Sequence, residues 1–264
     1  MKYGVIGDVH SNIEALTSVL ADIDAAGVDQ VVCFGDLVGY YANPNEVVDM
    51  FRQRNVRSVA GNHDRMAIGA LAPSRCTERA RRSVYWTRER LSAGNAAYLA
   101  SLPQALVVDE GFLLVHASLR PEPSDEEALL SVADATLAFR GLADRWPGVA
   151  LGFFGHTHRR AMHEWRDRTV RALPVQETAL SGDARHLINP GSVALSRDGD
   201  PRASFAVFDT DGRTVQFHRV AYDAAESEWK AKRAGLLHRD SRLRRTPAIV
   251  LDALRWGGRA WRAR

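Results

Sequence analysis

The sequence predicts an α/β fold in which short buried strands alternate with helices. Apolar runs of about five residues alternate with helical patterns over the first hundred residues, and these runs end in Gly-Asp or Gly-Asn-His. The composition, 45% hydrophobic and 25% charged, is typical of a globular chain. A length of 264 residues fits one large domain or two small ones. Without an internal repeat or an obvious linker, one α/β domain followed by a tail is the simplest interpretation.

The first half of the chain alternates strands and helices in order. A helix is predicted from residue 13, after Asn12, because its apolar residues follow a spacing of three and four and Gly27 stands at its end. A second helix begins at Pro44. The strands around these helices are Tyr3–Ile6, Gln30–Phe34 and Val56–Ala60. Strands joined through helices predict a largely parallel sheet.

The second half of the chain contains more strand signals. Residues 74–102 are arginine-rich and predict helices that end before Pro103. A hairpin is predicted around the turn at residues 209–212. The predicted strands are Leu106–Val108, Phe112–Val115, Val149–Phe154, Ala161–Trp165, Thr169–Leu173, Ser204–Phe208 and Thr214–Val220.

Hydropathy and cysteine content indicate the compartment. No run of 18 apolar residues occurs, so no transmembrane helix is expected. Asp8 stands too early for the apolar segment of a signal peptide. Cys33 and Cys76 are too few for a disulfide framework. We therefore expect a reducing, cytoplasmic setting.

The net charge of +3 is the sum of two unlike parts. Residues 230–264 hold eleven Lys and Arg against two Asp, a net +9, which leaves −6 for residues 1–229. We therefore divide the chain into a domain at residues 1–222 and a basic C-terminal helix or tail at residues 223–264. The tail is interpreted first as a peripheral helix with a basic end. Binding of nucleic acid or an anionic surface through residues 230–264 is the alternative, since the tail also holds tryptophans.

Five motifs rich in aspartate and histidine each follow the end of a predicted strand. Because parallel strands place their carboxyl ends at one edge of a sheet, we expect these motifs to meet there. The motifs are Asp8-Val9-His10, Gly35-Asp36, Gly61-Asn62-His63-Asp64, His116 and Gly155-His156-Thr157-His158.

The residue types in these motifs predict a divalent metal site. Carboxylates, an amide oxygen and imidazoles, without thiolates, suit Mn, Fe, Zn or Ni. The set exceeds what one tetrahedral zinc ion needs, which favours two divalent metal ions. A pair of such ions activates a bridging water as hydroxide and binds the oxygens of a substrate, an arrangement that suits attack on phosphorus.

The ordered set of motifs resembles the calcineurin-like metallophosphoesterase superfamily over residues 1–220. The resemblance implies a four-layer α/β/β/α sandwich of two mixed sheets. It also implies that Asp36 bridges two metal ions and that His63 is the general acid or a hydrogen-bond donor to the substrate. The first ion would be held by Asp8, His10, Asp36 and His158, and the second by Asp36, Asn62, His116 and His156.

Further segments resemble a bacterial and archaeal branch related to diadenosine tetraphosphatases and serine/threonine protein phosphatases. These segments are GDLVGYYANPNEVV and INPGSV with the following RDGDPRASFAVFDTDG. Within the second, Pro190-Gly191 is interpreted first as a turn and otherwise as a substrate contact.

One departure from the family pattern bears on the substrate. Protein phosphatases carry Asp-Arg-Gly where this chain has Gly39-Tyr40-Tyr41, so both the aspartate that would orient His63 and the arginine that would bind phosphate are missing. Arg65 is a candidate replacement for that positive charge. The departure favours a small phosphorylated or nucleotide-like substrate over a phosphoprotein.

The leading hypothesis is a dinuclear-metal-dependent phosphoesterase that hydrolyses a phosphomonoester or phosphodiester through a metal-bridged hydroxide. A dinucleoside polyphosphate hydrolase, a phosphoprotein phosphatase and a nuclease that uses the basic tail are alternatives within the same chemistry. A non-catalytic metal-binding scaffold is the alternative from another class. The sequence leaves the substrate, the metal identity and the oligomeric state open.

Overall fold

Two six-stranded sheets lie face to face, with helices on their outer faces, in a computed structural model that describes residues 1–237 except 110, 118 and 120–126. In chain order the elements are β1 (Lys2–Ile6), α1 (Ile13–Ala25), β2 (Gln30–Cys33), α2 (Pro44–Gln53), β3 (Arg57–Ser58), α3 (Asn62–Ala67), α4 (Glu78–Arg88), α5 (Ala93–Ser101), β4 (Ala105–Val107), β5 (Phe112–Val115), α6 (Val132–Arg145), β6 (Leu151–Phe153), β7 (Ala161–Arg166), β8 (Thr169–Ala172), β9 (Thr178–Ala179), β10 (Arg185–Asn189), β11 (Ala203–Asp209), β12 (Thr214–Val220) and α7 (Ala224–Arg233).

Both sheets are mixed, with a parallel part and an antiparallel part. The first sheet has the order β3-β2-β1-β11-β12-β9, in which β1, β2 and β3 are parallel to one another. The second has the order β4-β5-β6-β10-β7-β8, in which β5, β6 and β10 are parallel. The parallel strands lie at the centre of the second sheet and at one side of the first. The sequence predicted a largely parallel sheet, and only these strands are parallel to one another.

Three apolar layers hold the sandwich together. The first lies between the first sheet and helices α1 and α2, where Leu16 and Phe51 pack on Phe205. The second fills the space between the two sheets. The third lies between the second sheet and α6, around Phe139 and Leu142. Apolar side chains on both faces of each sheet require a cover on each side, and the result is the expected four-layer α/β/β/α sandwich.

Four elements were absent from the sequence-based description, the first of which is the six-residue helix α3. Helix α6 begins at Ser131, whose hydroxyl accepts from the backbone N–H of Asp134 in a capping box, and the spacing of Ala135, Phe139 and Leu142 is helical. Strand β10 was missed because it starts on Arg185 and His186 and leads into a Pro-Gly turn. Strand β9 has only two residues, too few to show a pattern in the sequence, and it is a strand because it pairs with β12.

Helix α7 begins two residues after the predicted domain boundary at residue 222. Lys230 forms an ion pair with Glu14 of α1. Ala231 and the following Leu236 and Leu237 pack in one apolar cluster with Tyr40 and Tyr41. Of the helices in the described part of the chain, none has the length and apolar character needed to cross a membrane.

Candidate metal centre

The five motifs meet at one edge of the sandwich. Asp8 follows β1, Asp36 follows β2 and Asn62 begins α3 after β3, all from the parallel part of the first sheet. His116 follows β5, and His156 and His158 follow β6, from the central parallel strands of the second sheet. His156 is partly exposed, and the other six predicted ligands are buried together with His63.

One group of predicted ligands surrounds the side chains of Asp8 and His10. The Nε2 atoms of His10 and His158 are 3.0 Å apart. His158 Nε2 lies 3.6 Å from Asp8 Oδ1, and His10 Nε2 lies 3.6 Å from Asp36 Oδ2. These are the four residues that the resemblance assigns to the first ion.

The second group surrounds the side-chain oxygen of Asn62. Asn62 Oδ1 lies 3.0 Å from His116 Nε2 and 3.1 Å from His156 Nδ1. His116 Nε2 also lies 3.2 Å from Asp36 Oδ2. Asp36 therefore contacts both groups, in the bridging position expected of it. The structure brings all seven predicted ligands together, while ligation itself stays a prediction.

Backbone carbonyl groups set the orientation of three of the imidazole rings. The Nδ1 atoms of His10, His116 and His158 lie 3.2, 3.0 and 3.0 Å from the carbonyl oxygens of Val38, Phe34 and Leu195. A carbonyl only accepts, so each Nδ1 carries the proton and donates. The Nε2 atoms then point into the centre, as in metal sites whose histidines are held by outer hydrogen bonds.

The orientation of His10 and His158 tests whether a cation fits. When each ring is neutral and protonated on Nδ1, both Nε2 atoms are acceptors, and two acceptors 3.0 Å apart repel each other. A cation between them removes that repulsion and satisfies both lone pairs. The donor set, with buried oxygen and nitrogen atoms and no thiolate, therefore fits a divalent metal ion.

Burial and neighbouring charges shift the pKa values in the centre. Burial lowers the pKa of His156 to about 4 and that of His158 to about 3, so both rings are neutral at pH 7. Burial, reinforced by Asp36, raises the pKa of Asp8 to about 7. Against the effect of burial, Asp36 and Asp8 raise the pKa of His116 to about 9.

Asp36 is the most strongly ionised group of the centre. Burial alone would raise the pKa of the Asp36 carboxyl, but the imidazoles of His116, His63 and His10 lower it well below its usual value. Its Oδ1 accepts a hydrogen bond of 2.8 Å from the backbone N–H of His63. Asp36 is thus held as an anion at the point where the two groups of ligands meet.

His63 lies against the centre, and no carboxylate of the described residues accepts a hydrogen bond from its Nδ1. Its ring packs 4.7 Å from that of Tyr40 and 4.8 Å from that of His10. Its Nδ1 is buried and has no hydrogen-bond partner among the described residues. A Cβ atom at Gly39 would come within 2.4 Å of this Nδ1, and Gly39 has a φ of +96°. The space beside the ring therefore accommodates glycine, where protein phosphatases have aspartate.

Asp64 belongs to one of the five motifs, but the sequence analysis assigned it no function, and the structure shows that it positions its neighbours. Its buried carboxylate accepts hydrogen bonds from the backbone N–H groups of Val38 and Gly61, at 3.1 and 2.9 Å. These bonds fasten the loop after β2 to the start of α3, which places Asp36 beside Asn62. The signal for this role was its position at the end of the Gly-Asn-His-Asp motif.

The backbone at several of these side chains lies in the left-handed region. Five of the seven predicted ligands have positive φ values: Asp8 (50°), His10 (50°), Asp36 (56°), His156 (66°) and His158 (56°). Residues other than glycine adopt this region rarely, and at a cost in free energy. The chain turns sharply at the end of each strand, and in doing so directs these side chains into the centre.

The Asn-Pro-Gly-Ser-Val segment forms a turn that supports the edge of the site. Gly191 has a φ of +91°, and its N–H donates to Asn189 Oδ1. The side-chain amide of Asn189 donates to the carbonyl of Gly155 and to the hydroxyl of Thr157. The segment thus fixes the loop that carries His156 and His158.

A cavity of about 250 Å³ opens beside the centre. Its wall includes Asp36, Asn62, His63, His156 and His158 together with Arg75 and Arg197. Arg65 was the expected source of positive charge, but its guanidinium donates to Gln104 and it does not line this cavity. The sequence analysis did not identify Arg197 as a site residue. The feature that could have pointed to it is the Arg-Asp-Gly at residues 197–199, shortly after the Asn-Pro-Gly-Ser-Val segment.

Two stacked mixed sheets with a carboxylate and imidazole cluster at their common edge define the class of the protein, a phosphoesterase of the metallophosphoesterase fold. The chain belongs to the calcineurin-like phosphoesterase superfamily, whose domain is matched over residues 1–213.

Three individual proteins are similar to this chain over most of its length. The chain is similar to a metallophosphoesterase from Sphaerobacter thermophilus, at 36% identity over 90% of this chain and 95% of that one, with a TM-score of 0.74. An uncharacterized protein of Methanocaldococcus jannaschii is 33% identical over 83% of this chain and 87% of its own length. A hypothetical protein from Pyrococcus horikoshii shares the fold at 18% identity over 90% of this chain and 94% of that one, with a TM-score of 0.71.

Proposed function

We propose that the protein is a dinuclear-metal-dependent phosphoesterase that hydrolyses a small phosphomonoester or phosphodiester. The observation that carries this proposal is the cluster around Asp36, in which two buried carboxylates, an amide oxygen and four imidazoles lie together at one strand edge. When bound, two divalent cations such as Mn²⁺, Fe²⁺, Zn²⁺ or Ni²⁺ would supply a bridging hydroxide as the nucleophile and neutralise charge on the phosphoryl group.

In this proposal the residues of the chain take distinct roles. Asp8, His10 and His158 hold one ion, Asn62, His116 and His156 hold the other, and Asp36 contacts both. His63 lines the cavity beside the centre. Burial lowers its pKa, so the ring is neutral at pH 7 and its N–H serves as a hydrogen-bond donor to the phosphoryl group or the leaving oxygen.

A small substrate is favoured over a phosphoprotein by the shape of the site. The cavity of about 250 Å³ is bounded by Tyr40, Cys76 and Thr77 as well as by the predicted ligands. Tyr40 packs on His63 at the position where protein phosphatases carry the phosphate-binding arginine. A dinucleoside polyphosphate is the second candidate substrate class, because the arginines of the wall can bind further phosphates.

The test is a substrate panel with the purified full-length chain loaded in turn with each metal. The panel comprises an aryl phosphate, a bis-aryl phosphate, cyclic nucleotides, dinucleoside polyphosphates and phosphopeptides. We expect turnover of an aryl ester with Mn²⁺ and its loss in His63→Ala at unchanged metal content. Protein that takes up metal but hydrolyses none of these would overturn the phosphoesterase proposal. That outcome would favour the metal-binding scaffold, whereas protein that takes up no divalent ion and hydrolyses none of them would also overturn the proposed metal dependence.

We also propose that the protein acts in the cytoplasm and that the basic charge beyond α7 is a separate surface for nucleic acid or anionic membranes. Lys230 and Lys232 form ion pairs within the fold, and Arg233 lies 4.7 Å over the ring of Trp229. The apolar and tryptophan-containing part of the tail lies outside the described residues. Truncation after Leu237 preserves α7, and it should abolish any salt-dependent binding of nucleic acid or vesicles while leaving ester hydrolysis unchanged.

A further inference from the structure

We propose that Arg197 binds the phosphoryl group of the substrate, in place of the arginine that this chain lacks at position 40. The inference rests on the proposed phosphoesterase function and names a substrate-binding residue outside the five motifs that supply the predicted metal ligands. Arg197 lies in the loop between β10 and β11, at residues 190–202. It lines the same cavity as Asn62, His63 and His156, on the side of His158.

The loop that carries Arg197 is tied to a predicted metal ligand at two points. The backbone N–H of Arg197 donates to the carbonyl of His158 at 3.0 Å. His158 Nδ1 in turn donates to the carbonyl of Leu195 at 3.0 Å. The position of Arg197 is therefore set by the residue whose imidazole points at the centre.

A network of ion pairs behind the loop holds it in this place. Arg219, whose side chain is 7% exposed, pairs with Asp198 and donates to the carbonyls of Asp200 and Arg202. Arg160 approaches the same Asp198 carboxylate at 3.5 Å. Because the arginine is presented on a braced loop, less side-chain and backbone freedom is lost when it binds a ligand.

Arg197 itself is left without an anion. Arg160, Arg202 and Arg219 pair with Asp198 and Asp200 of this loop, whereas no carboxylate forms an ion pair with Arg197 among the described residues. A guanidinium without an ion-pair partner in the described part of the chain, beside the predicted metal ligands, suits a ligand that is itself anionic.

Phosphate is the chemical class that fits such an arrangement. A phosphoryl group has several non-bridging oxygens, so it can contact metal ions on one side and accept two parallel hydrogen bonds from a guanidinium on another. Lysine offers a single point charge and cannot form that pair of bonds. Tyr40 stands where protein phosphatases carry their phosphate-binding arginine. Its ring packs against His63, and the guanidinium of Arg79 lies 5.2 Å from the centre of the Tyr40 ring.

The test compares Arg197→Ala and Arg197→Lys with Arg140→Ala, which removes one exposed positive charge from α6, on the outer face of the second sheet. Each protein is loaded with Mn²⁺ and assayed for metal content, for calorimetric binding of inorganic phosphate, and for kcat and KM on an aryl phosphate. We expect unchanged metal content in all three variants. Phosphate affinity should fall about 10- to 100-fold in Arg197→Ala, with a partial loss in Arg197→Lys and none in Arg140→Ala.

The outcomes separate this inference from the proposed function. Wild-type turnover together with equal phosphate affinity in Arg197→Ala and Arg140→Ala would overturn the role of Arg197 alone. Metal-loaded wild-type protein that neither binds phosphate nor hydrolyses any ester would overturn both proposals. Loss of metal in Arg197→Ala and Arg197→Lys would also overturn the inference, because it would assign the loop to support of His158 rather than to the substrate.

Discussion

Two regions of the molecule bury carboxylates next to imidazoles, and they balance the charge in different ways. In the centre around Asp36, histidines are the only residues in the described part of the chain that form ion pairs with Asp8 and Asp36. In the second sheet, the buried Glu164 contacts His186 at 3.4 Å, Arg166 at 3.5 Å and Arg171 at 2.6 Å. Glu164 is neutralised by two arginines of the chain itself, whereas no arginine or lysine among the described residues forms an ion pair with Asp8 or Asp36, which leaves room for added cations.

The difference in charge balance indicates which of the two clusters suits metal binding. A buried charge is tolerated where it is paired, and arginine serves this purpose because its charge is permanent. The imidazoles of His156 and His158 are neutral at pH 7, so they do not compensate the charge of a carboxylate, but they present nitrogen lone pairs to a cation. The cluster that looks less balanced is therefore the one prepared for divalent cations.

The largest expected effect comes from exchanging one carboxylate in each cluster. Asp36→Asn should lower ester hydrolysis by more than about a hundredfold and reduce metal content, because outer-sphere substitutions alone commonly cost 10- to 100-fold. Glu164→Gln, the matched control, should retain wild-type metal content and kcat. Metal analysis and initial rates measure both, and equal losses in the two variants would refute the distinction between the clusters.

Metal removal should affect stability through the centre alone. A ligand that binds only the folded state stabilises it by mass action, by about 2.7 kcal/mol at one hundred times its dissociation constant. We expect Mn²⁺ to raise the melting temperature of chelator-treated wild type and of Glu164→Gln by similar amounts. The increase should be small in Asp36→Asn. A full increase in Asp36→Asn would place the metal elsewhere.

Loss of the Glu164 carboxylate should instead appear in metal-independent stability. Glu164→Gln leaves His186 and Arg166 without their buried anion, and we expect a decrease in the free energy of unfolding of about 1–3 kcal/mol. Arg171→Ala removes an arginine whose side chain is 60% exposed, so it should cost less than about 1 kcal/mol. Urea denaturation of the chelated proteins compares them, and a larger effect of Arg171→Ala would contradict the buried role of Glu164.

The smallest expected effect is a contribution of His186 to acid sensitivity. Burial lowers the pKa of His186, with Arg213 and Arg166 acting in the same direction and Glu164 opposing them. The unfolded state then binds more protons below about pH 6.5, so this residue contributes stability that is lost as the pH falls through that value. Between pH 8 and 5, the melting temperature of His186→Gln should fall less steeply than that of the wild type. Parallel pH profiles would assign the sensitivity to other groups.

The sequence predicted the parts of the site that depend on strand order. Each motif follows an apolar run, and the rule that parallel strands share an edge was sufficient to bring Asp8, Asp36 and His116 together. The roles of Asp64 and Arg197 could not be predicted in this way, because they depend on hydrogen bonds between loops that are distant in sequence. The sequence also suggested Arg65 from its proximity to His63, but the first turn of α3 carries that side chain away to Gln104.

The fold, like the site, was predictable from the sequence only where the information is local. Helices such as α1 and strands such as β11 carry their periodicity in their own residues. Strand β10 begins with Arg185 and His186, and it is a strand because β6 and β7 pair with it on both sides. Pairing partners supply the information that its own five residues lack, and that information is not local in the sequence.

The left-handed backbone at the ends of the strands has a consequence for the mutational landscape of the protein. Glycine adopts this conformation without the steric penalty of about 1–3 kcal/mol that other residues carry there. At His156, the one predicted ligand that is partly exposed, glycine leaves the smallest cavity, so a selection for thermal stability in chelator should enrich His156→Gly, and this protein should bind metal less well. Selection for stability and selection for metal binding therefore favour different residues at this position.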